Sequence, residues 1–153
     1  MTSSHASAAP AAPAAPAHQA QVRQLSVLLY SDDVTVRDAV RVGVGRRPAR
    51  DVEVVQWHEC ATHQAVVDAA DAGGFDLFIL DGEATPLGGM GLCRQLKNEI
   101  FECPPVLVLT GRVQDGWIAS WSQADAVVPQ PLDPVALAAA VAELGRSRAA
   151  RAS

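Results

Sequence analysis

The sequence predicts an α/β domain built on a doubly wound, five-stranded parallel sheet with helices on both faces. Five short apolar runs rich in Val, Leu and Ile follow one another along the chain, and each is nearly continuous in its hydrophobicity. Such runs are typical of strands that are buried on both faces. Helical patterns separate the runs, and this strand-then-helix alternation predicts parallel pairing.

The predicted strands and helices alternate from Leu25 onward. The last helix has the clearest start, because Asp133 is a natural N-cap and Pro134 suits the first helical position. A weak helical turn is predicted around Trp117–Trp121. The predicted strands are Ser26–Ser31, Val52–Trp57, Leu77–Leu80, Val106–Leu109 and Ala126–Pro129, and the other predicted helices are Val34–Val44, Thr62–Ala72, Met90–Asn98 and Pro134–Ala149.

The first 24 residues differ in composition from the rest of the chain, with Ala-Pro repeats from Ala8 to Ala17. Proline at every third position removes backbone donors and disfavours helix, so this segment favours extended, polyproline-like conformations. We therefore predict three parts: an extended or disordered tail at residues 1–24, one domain at residues 25–145, and a helix end at residues 146–153.

Composition and charge restrict the possible functions of this 153-residue chain. The net charge is −5 and the basic residues are scattered, which argues against a nucleic-acid-binding surface. No apolar run approaches the length of a membrane span, and the N-terminus lacks the pattern of a secretory signal. We therefore expect a cytoplasmic protein that binds no nucleic acid.

The three cysteines, Cys60, Cys93 and Cys103, have no CxxC spacing and are interpreted as reduced thiols. His58 and His63 flank Cys60 and raise the alternative of a metal site. A single short cluster without a second pair of ligands is weak evidence for zinc, so surface histidines are the preferred interpretation.

Polar residues follow the predicted strands at the points where the strands end. Strand one ends in Ser31–Asp33, strand three in Asp81–Glu83, strand four in Thr110, and strand five runs into Gln130. Carboxylates that converge on one crevice suit a hard divalent ion such as Mg²⁺. A carboxylate beside this ion can accept a phosphoryl group, and a nearby hydroxyl can bind that group. The alternative is that these acids only cap helices and loops.

Four segments in order make the chain resemble the receiver domains of bacterial response regulators, over nearly all of residues 25–145. Val27–Arg37 resembles the opening strand, acidic residues and Arg of a receiver. Asp81–Lys97, with a Gly eight residues after the Asp, resembles the phospho-acceptor loop and the helix after it. Pro104–Arg112 resembles the strand that carries the switch hydroxyl, and Ala124–Pro134 resembles the closing segment.

The resemblance implies a flavodoxin-like fold with strand order 2-1-3-4-5. It also implies that Asp81 is the phospho-acceptor, that Thr110 is the switch hydroxyl, and that Mg²⁺ is held by Asp32, Asp81 and Glu83. A histidine kinase is the implied phosphoryl donor. A receiver is a signalling domain, so we expect no enzyme activity of its own.

Several positions depart from the pattern of the family. Ser31 stands where receivers have their first acid, and Asp33 compensates only if the loop shifts by one residue. Gln130 stands where they have a Lys, and it can form a hydrogen bond but brings no positive charge. Val127 stands where the switching aromatic is common. These changes predict a pocket that retains Asp81 but switches inefficiently.

Trp117 and Trp121 lie four residues apart, on one face if their segment is helical, and are candidates for partner contact or for core packing. The segment between Thr110 and Ala124 is about two residues shorter than in the family, which predicts an irregular helix there.

The sequence leaves three functions open. The first is an atypical stand-alone receiver that acts as a regulatory or accessory subunit through protein–protein contacts, independently of phosphorylation, with its tail engaging a larger multi-subunit assembly. The second is a working phospho-accepting receiver in a two-component phosphorelay. The third is a small flavodoxin-like enzyme or cofactor carrier, which has little support because no Gly-rich phosphate loop follows strand one. Residues 146–153 are too few for a DNA-binding module, so we expect the output to pass through a protein partner.

Overall fold

The computed structural model describes residues 21–85, 88–111 and 122–152, and five strands and four helices lie in these ranges. No helix in these ranges is both long and apolar enough to cross a membrane. The elements are β1 (Arg23–Tyr30), α1 (Val34–Val44), β2 (Val52–Cys60), α2 (His63–Ala72), β3 (Leu77–Asp81), α3 (Gly89–Glu99), β4 (Val106–Thr110), β5 (Ala126–Pro129) and α4 (Pro134–Ala152).

The strands form one sheet in the order β2-β1-β3-β4-β5, and every neighbouring pair is parallel. The predicted doubly wound, flavodoxin-like sheet is therefore confirmed. Buried side chains from α1 and α4, such as Val40 and Leu137, pack in one core cluster. Those from α2 and α3, such as Val66 and Leu92, pack in a second cluster. Helices thus cover both faces, and the carboxyl ends of the strands share one edge.

The first strand begins at Arg23, three residues before the predicted Ser26. Arg23 and Gln24 are polar, so they carry no hydrophobic signal, but they pair in register with Val52 and Glu53 of β2. Backbone pairing with a distant strand therefore sets this boundary. Residues 1–20 of the tail lie outside the described residues.

The second strand is at the edge of the sheet, and it continues to Cys60 instead of ending at Trp57. The His58 ring packs against Phe75, with ring centroids 5.5 Å apart, and His63 Nε2 lies 3.0 Å from Gln95 Oε1. Cys60 is buried, and burial raises the pKa of its thiol to about 11. No group of three or more His, Cys, Asp or Glu side chains in the described ranges could hold a metal ion.

Side-chain caps start three of the helices, and the predicted cap at Asp133 is one of them. The Asp33 carboxylate accepts a hydrogen bond from the Thr35 N–H at 2.8 Å and so caps α1. Thr62 caps α2 in the same way, and the Asp133 carboxylate accepts from the Val135 N–H at 3.0 Å at the start of α4. Each cap satisfies a backbone donor that the first turn of a helix leaves free.

An ion pair joins the end of α4 to the start of β2. Arg146 Nη2 and Nε lie 2.7 and 2.8 Å from the two carboxylate oxygens of Asp51, so the pair is bidentate. The hydrogen bond from Arg146 lowers the pKa of Asp51 to about 2.

We expect an NMR titration of the Asp51 carboxyl carbon to give a midpoint near 2, because Arg146 favours the charged form. A depressed carboxyl pKa stabilises the fold above the unfolded value of about 3.9, and this contribution is lost as the pH falls toward 2. In the Arg146→Gln control the midpoint should return to near the ordinary value of an aspartate. An unchanged midpoint in that control would show that the ion pair does not form in solution.

Candidate functional site

The carboxyl edge of the sheet brings together the residues that end strands β3 and β4 and those that directly follow strands β1 and β5. Tyr30 pairs in register with Leu80, which places Ser31 beside Asp81. The Gln130 N–H donates to the Thr110 carbonyl at 2.8 Å, which places the start of the β5–α4 loop beside the end of β4. Four residues predicted from strand ends therefore lie around one point, which we call the Asp81 pocket: Ser31, Asp81, Thr110 and Gln130.

Asp81 is buried, with 3% of its surface exposed, and both of its carboxylate oxygens accept hydrogen bonds. Oδ1 accepts from the backbone N–H of Glu83 at 2.9 Å and from Gln130 Nε2 at 3.2 Å. Oδ2 accepts from the Ser31 hydroxyl at 2.8 Å. All three donors are neutral, so the carboxylate is held by hydrogen bonds without a cationic side chain among them.

Ser31 is fully buried and links the Asp81 pocket to the loop before α1. Its hydroxyl oxygen accepts a hydrogen bond from the Asp33 N–H at 3.0 Å while its proton goes to Asp81. Its carbonyl accepts from Arg37 Nη1 at 2.6 Å, and Arg37 also pairs with Glu59 at 2.9 Å. The serine thus joins the Asp81 carboxylate to the loop that leads into α1.

The Thr110 hydroxyl is buried at the end of β4, and it has no hydrogen-bond partner among the described residues. A buried hydroxyl without a partner costs free energy, so such a group suggests a ligand that can accept or donate a hydrogen bond. A phosphoryl oxygen on Asp81 would be such a ligand.

Asp32 lies at the exposed side of the pocket, where its Oδ2 accepts from the Thr85 hydroxyl at 2.8 Å. Hydrogen bonds from the side chain and backbone of Thr85 lower the pKa of Asp32, and the charge of Arg37 adds a smaller effect. The pKa of the neighbouring Tyr30 is raised, mainly by burial and then by the negative charges of Asp32 and Asp81.

Asp32 and Asp81 are the carboxylates that would hold Mg²⁺ here. This ion binds through one or two carboxylates and keeps several waters, so the exposed Asp32 and the buried Asp81 would be sufficient in number. When bound there, Mg²⁺ would neutralise charge on a phosphoryl group in transfer. The Glu83 side chain lies against Gly111, where an added Cβ would overlap the carboxylate. Its role as a third ligand stays a prediction.

One contact of the site had no signal in the sequence. The Thr85 hydroxyl holds Asp32 across 53 positions of the chain, and Thr is too common in loops to mark a site by itself. Arg37, which the resemblance to receivers singled out, donates to the Ser31 carbonyl. Trp117 and Trp121, the candidates for partner contact, lie outside the described residues.

Comparison with known proteins gives close relatives and many similar folds. No model of a known protein family matches the chain. Two curated proteins of Mycobacterium tuberculosis, from strains CDC 1551 / Oshkosh and ATCC 25618 / H37Rv, are each 50% identical to it over 125 residues. This match covers 82% of this chain and 94% of each relative, and both are named uncharacterized response regulatory proteins.

Solved structures agree with the fold at much lower identity. A signal receiver domain of an HD domain-containing protein from Pseudomonas fluorescens Pf-5 is 14% identical, with a TM-score of 0.69, over 85% of this chain and 93% of that one. A putative response regulator from Chloroflexus aurantiacus is 19% identical, with a TM-score of 0.67, over 80% and 98%. The chemotaxis response regulator CheY4 of Vibrio cholerae is 17% identical, with a TM-score of 0.64, over 81% and 99%.

Proposed function

Since the chain belongs to the response-regulator receiver family, we propose that it is a receiver acting through protein–protein contacts as a regulatory or accessory subunit, without a need for phosphorylation. The observation that carries this proposal is the set of hydrogen bonds around Asp81. Ser31 and Gln130 occupy the positions of an acid and a Lys in the family, and both donate to the Asp81 carboxylate. Both oxygens of the unphosphorylated Asp81 carboxylate therefore already accept hydrogen bonds.

The two substitutions favour one stable state over a switch. A Lys would bind a phosphoryl group through a charge-assisted hydrogen bond, which is roughly twice as strong as a neutral one. Gln130 offers only the weaker bond, and it already donates it to Asp81 at 3.2 Å. Phosphorylation of Asp81 would have to break this contact without gaining an ionic one. A phosphoryl group would therefore stabilise a switched conformation less than it does in a receiver with the Lys, and the unphosphorylated conformation stays favoured.

We expect the Asp81→Asn variant to remain in the same native assembly as the wild-type protein. Asn has the shape of Asp and can exchange hydrogen bonds with Ser31 and Gln130, but it cannot accept a phosphoryl group. The measurement is the native size of tagged protein expressed at its natural level and purified mildly. A variant lacking residues 1–20, which leaves Arg23 and all of β1 in place, tests whether the tail anchors the chain in the assembly.

The outcomes separate the alternatives. Co-elution of wild type and Asp81→Asn in a large complex, with loss of the shortened chain from it, supports a tail-anchored subunit. A wild-type protein that runs as a free small protein, or an Asp81→Asn variant that alone leaves the complex, contradicts phosphorylation-independent binding.

A second function, phospho-acceptance at Asp81, is supported by the Thr110 hydroxyl. This group is buried beside Asp81 and lacks a partner in the described part of the chain, as expected if its partner is a phosphoryl oxygen. Asp32 and Asp81 would hold Mg²⁺, and the phospho-histidine of a histidine kinase would be the donor. This alternative requires an acid-labile phosphoryl group on Asp81 when a small phosphodonor and Mg²⁺ are supplied, detected by intact mass.

Thr110→Val is expected to raise the free energy of unfolding by about 1 kcal/mol, because it replaces an unpartnered buried hydroxyl by a methyl group. Chemical denaturation measures this change. Thr110→Ser, which keeps the hydroxyl, is the matched control and should not stabilise the protein. If Val destabilises the fold instead, the hydroxyl has a hydrogen-bond partner in the free protein, and the argument for a phosphoryl ligand is lost.

A further inference from the structure

A cavity of about 170 Å³, lined by apolar side chains together with Glu102 and Arg148, opens at the amino edge of the sheet, opposite to the Asp81 pocket. We call it the basal cavity. This volume is many times the ~15 Å³ that one water molecule requires. It lies among the ends of α2, α3 and α4, and its apolar lining consists of Ala70, Phe75, Phe78, Ile100, Phe101 and Pro104.

Phe101 makes the rim of the basal cavity strongly apolar. Phe101 is 90% exposed, more than any other large hydrophobic residue in the described ranges. The chain turns directly after it, since Glu102 has a φ of 53°, and Arg148 Nη1 donates to the Glu102 carbonyl at 3.4 Å. An exposed aromatic side chain beside an open apolar cavity indicates a binding site.

The chain enters the domain beside this cavity. The Ser26 N–H donates to the Asp76 carboxylate at 2.8 Å, and Asp76 follows Phe75 of the cavity directly. Arg23, where β1 begins, donates to the Arg146 carbonyl near the end of α4. Ser26 lies three positions after Arg23, so about 10 Å of strand separates the start of β1 from the residue that bonds to Asp76 beside the cavity.

We propose that in the free protein the Ala-Pro segment of its own tail, Ala8–Ala17, occupies the basal cavity. In an extended polyproline conformation each residue advances about 3.1 Å, so the six residues from Ala17 to Val22 reach roughly 19 Å. This reach is about twice the ~10 Å of strand between Arg23 and Ser26, the residue that bonds to Asp76 beside the cavity. The repeats therefore arrive at the cavity without strain on β1.

The chemistry of the two surfaces matches. Polyproline segments bind in grooves lined by aromatic side chains, because the preformed conformation costs little entropy. Phe75 and Phe101 provide the aromatic lining, and Ala8–Ala17 contains only Ala and Pro. Glu102 and Arg148 also line the cavity, one acidic and one basic, so the lining has no excess of either charge to select a charged partner. The uncharged Ala8–Ala17 segment belongs to the same chain and is tethered to β1. The proposal concerns the free protein and does not depend on the state of Asp81.

A spin label on the tail of the full-length protein tests this proposal. Cys60, Cys93 and Cys103 are buried, with 2%, 0% and 8% exposed, so Ala12→Cys adds the accessible thiol for a nitroxide. We expect loss of most of the NMR signal intensity of the Gly73, Gly74 and Glu102 amides, restored when the label is reduced. The Thr85 amide, at the opposite edge of the sheet, should keep its intensity.

Two controls make the result decisive. Phe101→Ser in the labelled protein should restore the Gly73 and Glu102 intensities, and this exposed residue can be replaced without disturbing the core. A mixture of isotope-labelled protein without nitroxide and nitroxide-labelled protein without isotope should show no loss. Unchanged intensities at the cavity, losses that survive Phe101→Ser, or losses in the mixture, which would indicate the tail of a second copy, each overturn the proposal.

Discussion

Replacing Gly89 by alanine is expected to lower the free energy of unfolding by about 1–3 kcal/mol and to displace Asp81. A Cβ at this position would lie 2.7 Å from the Asp81 carbonyl oxygen, 2.8 Å from its carbonyl carbon and 2.9 Å from the Leu80 carbonyl carbon. All three atoms belong to the backbone of β3, so no side-chain rotation relieves the overlap. The start of α3 must move away from the strand that carries Asp81.

Gly43→Ala in α1 is the matched control for this prediction. An added Cβ there meets the end of a flexible side chain, Leu137 Cδ2, at 3.3 Å, and alanine favours helix over glycine by up to about 1 kcal/mol. Chemical denaturation of both variants measures the difference, and the Asp81 amide shift reports the displacement. Equal stabilities for Gly89→Ala and wild type would show that α3 does not approach β3 this closely in solution.

Replacing Ser31 by aspartate should make the stability of the fold depend on Mg²⁺. The new carboxylate would take the place of a hydroxyl that lies 2.8 Å from Asp81 Oδ2 and is fully buried. Two carboxylates at this distance repel and lose a hydrogen bond, so we expect a loss of about 1–3 kcal/mol at neutral pH without divalent ions. With Asp32, the pocket would then offer three carboxylates to a cation.

Addition of Mg²⁺ should recover the lost stability of Ser31→Asp. An ion that binds only the folded state stabilises it by about 2.7 kcal/mol when its concentration is about 100 times its Kd. Thermal unfolding with chelator and with increasing Mg²⁺ measures the effect. Ser31→Asn is the neutral control of the same shape and should respond no more than wild type. A Mg²⁺ response as large in wild type as in Ser31→Asp would mean that Ser31 does not weaken the metal site.

The sequence determined the architecture because the strands are short, apolar runs whose burial does not depend on small shifts in boundary. Val106–Thr110 is buried at every position, and its predicted core, Val106–Leu109, is one residue shorter. Helix α1 begins and ends where predicted, since Asp33 at its start is a local capping signal. The position of Asp81 at the end of a central strand followed from the same pattern and from the resemblance to receivers.

The tertiary structure alone decided how the residues of the site bond. Ser31 and Gln130 lie 50 and 49 positions from Asp81, and which oxygen each one meets depends on strand register and on the path of two loops. The start of β1 at Arg23 was likewise set by pairing with Val52. Buried strands and helix ends can be predicted from local sequence patterns because they depend on residues that lie close together in the chain. Contacts between distant segments depend on the packing of the whole sheet, which no local pattern contains.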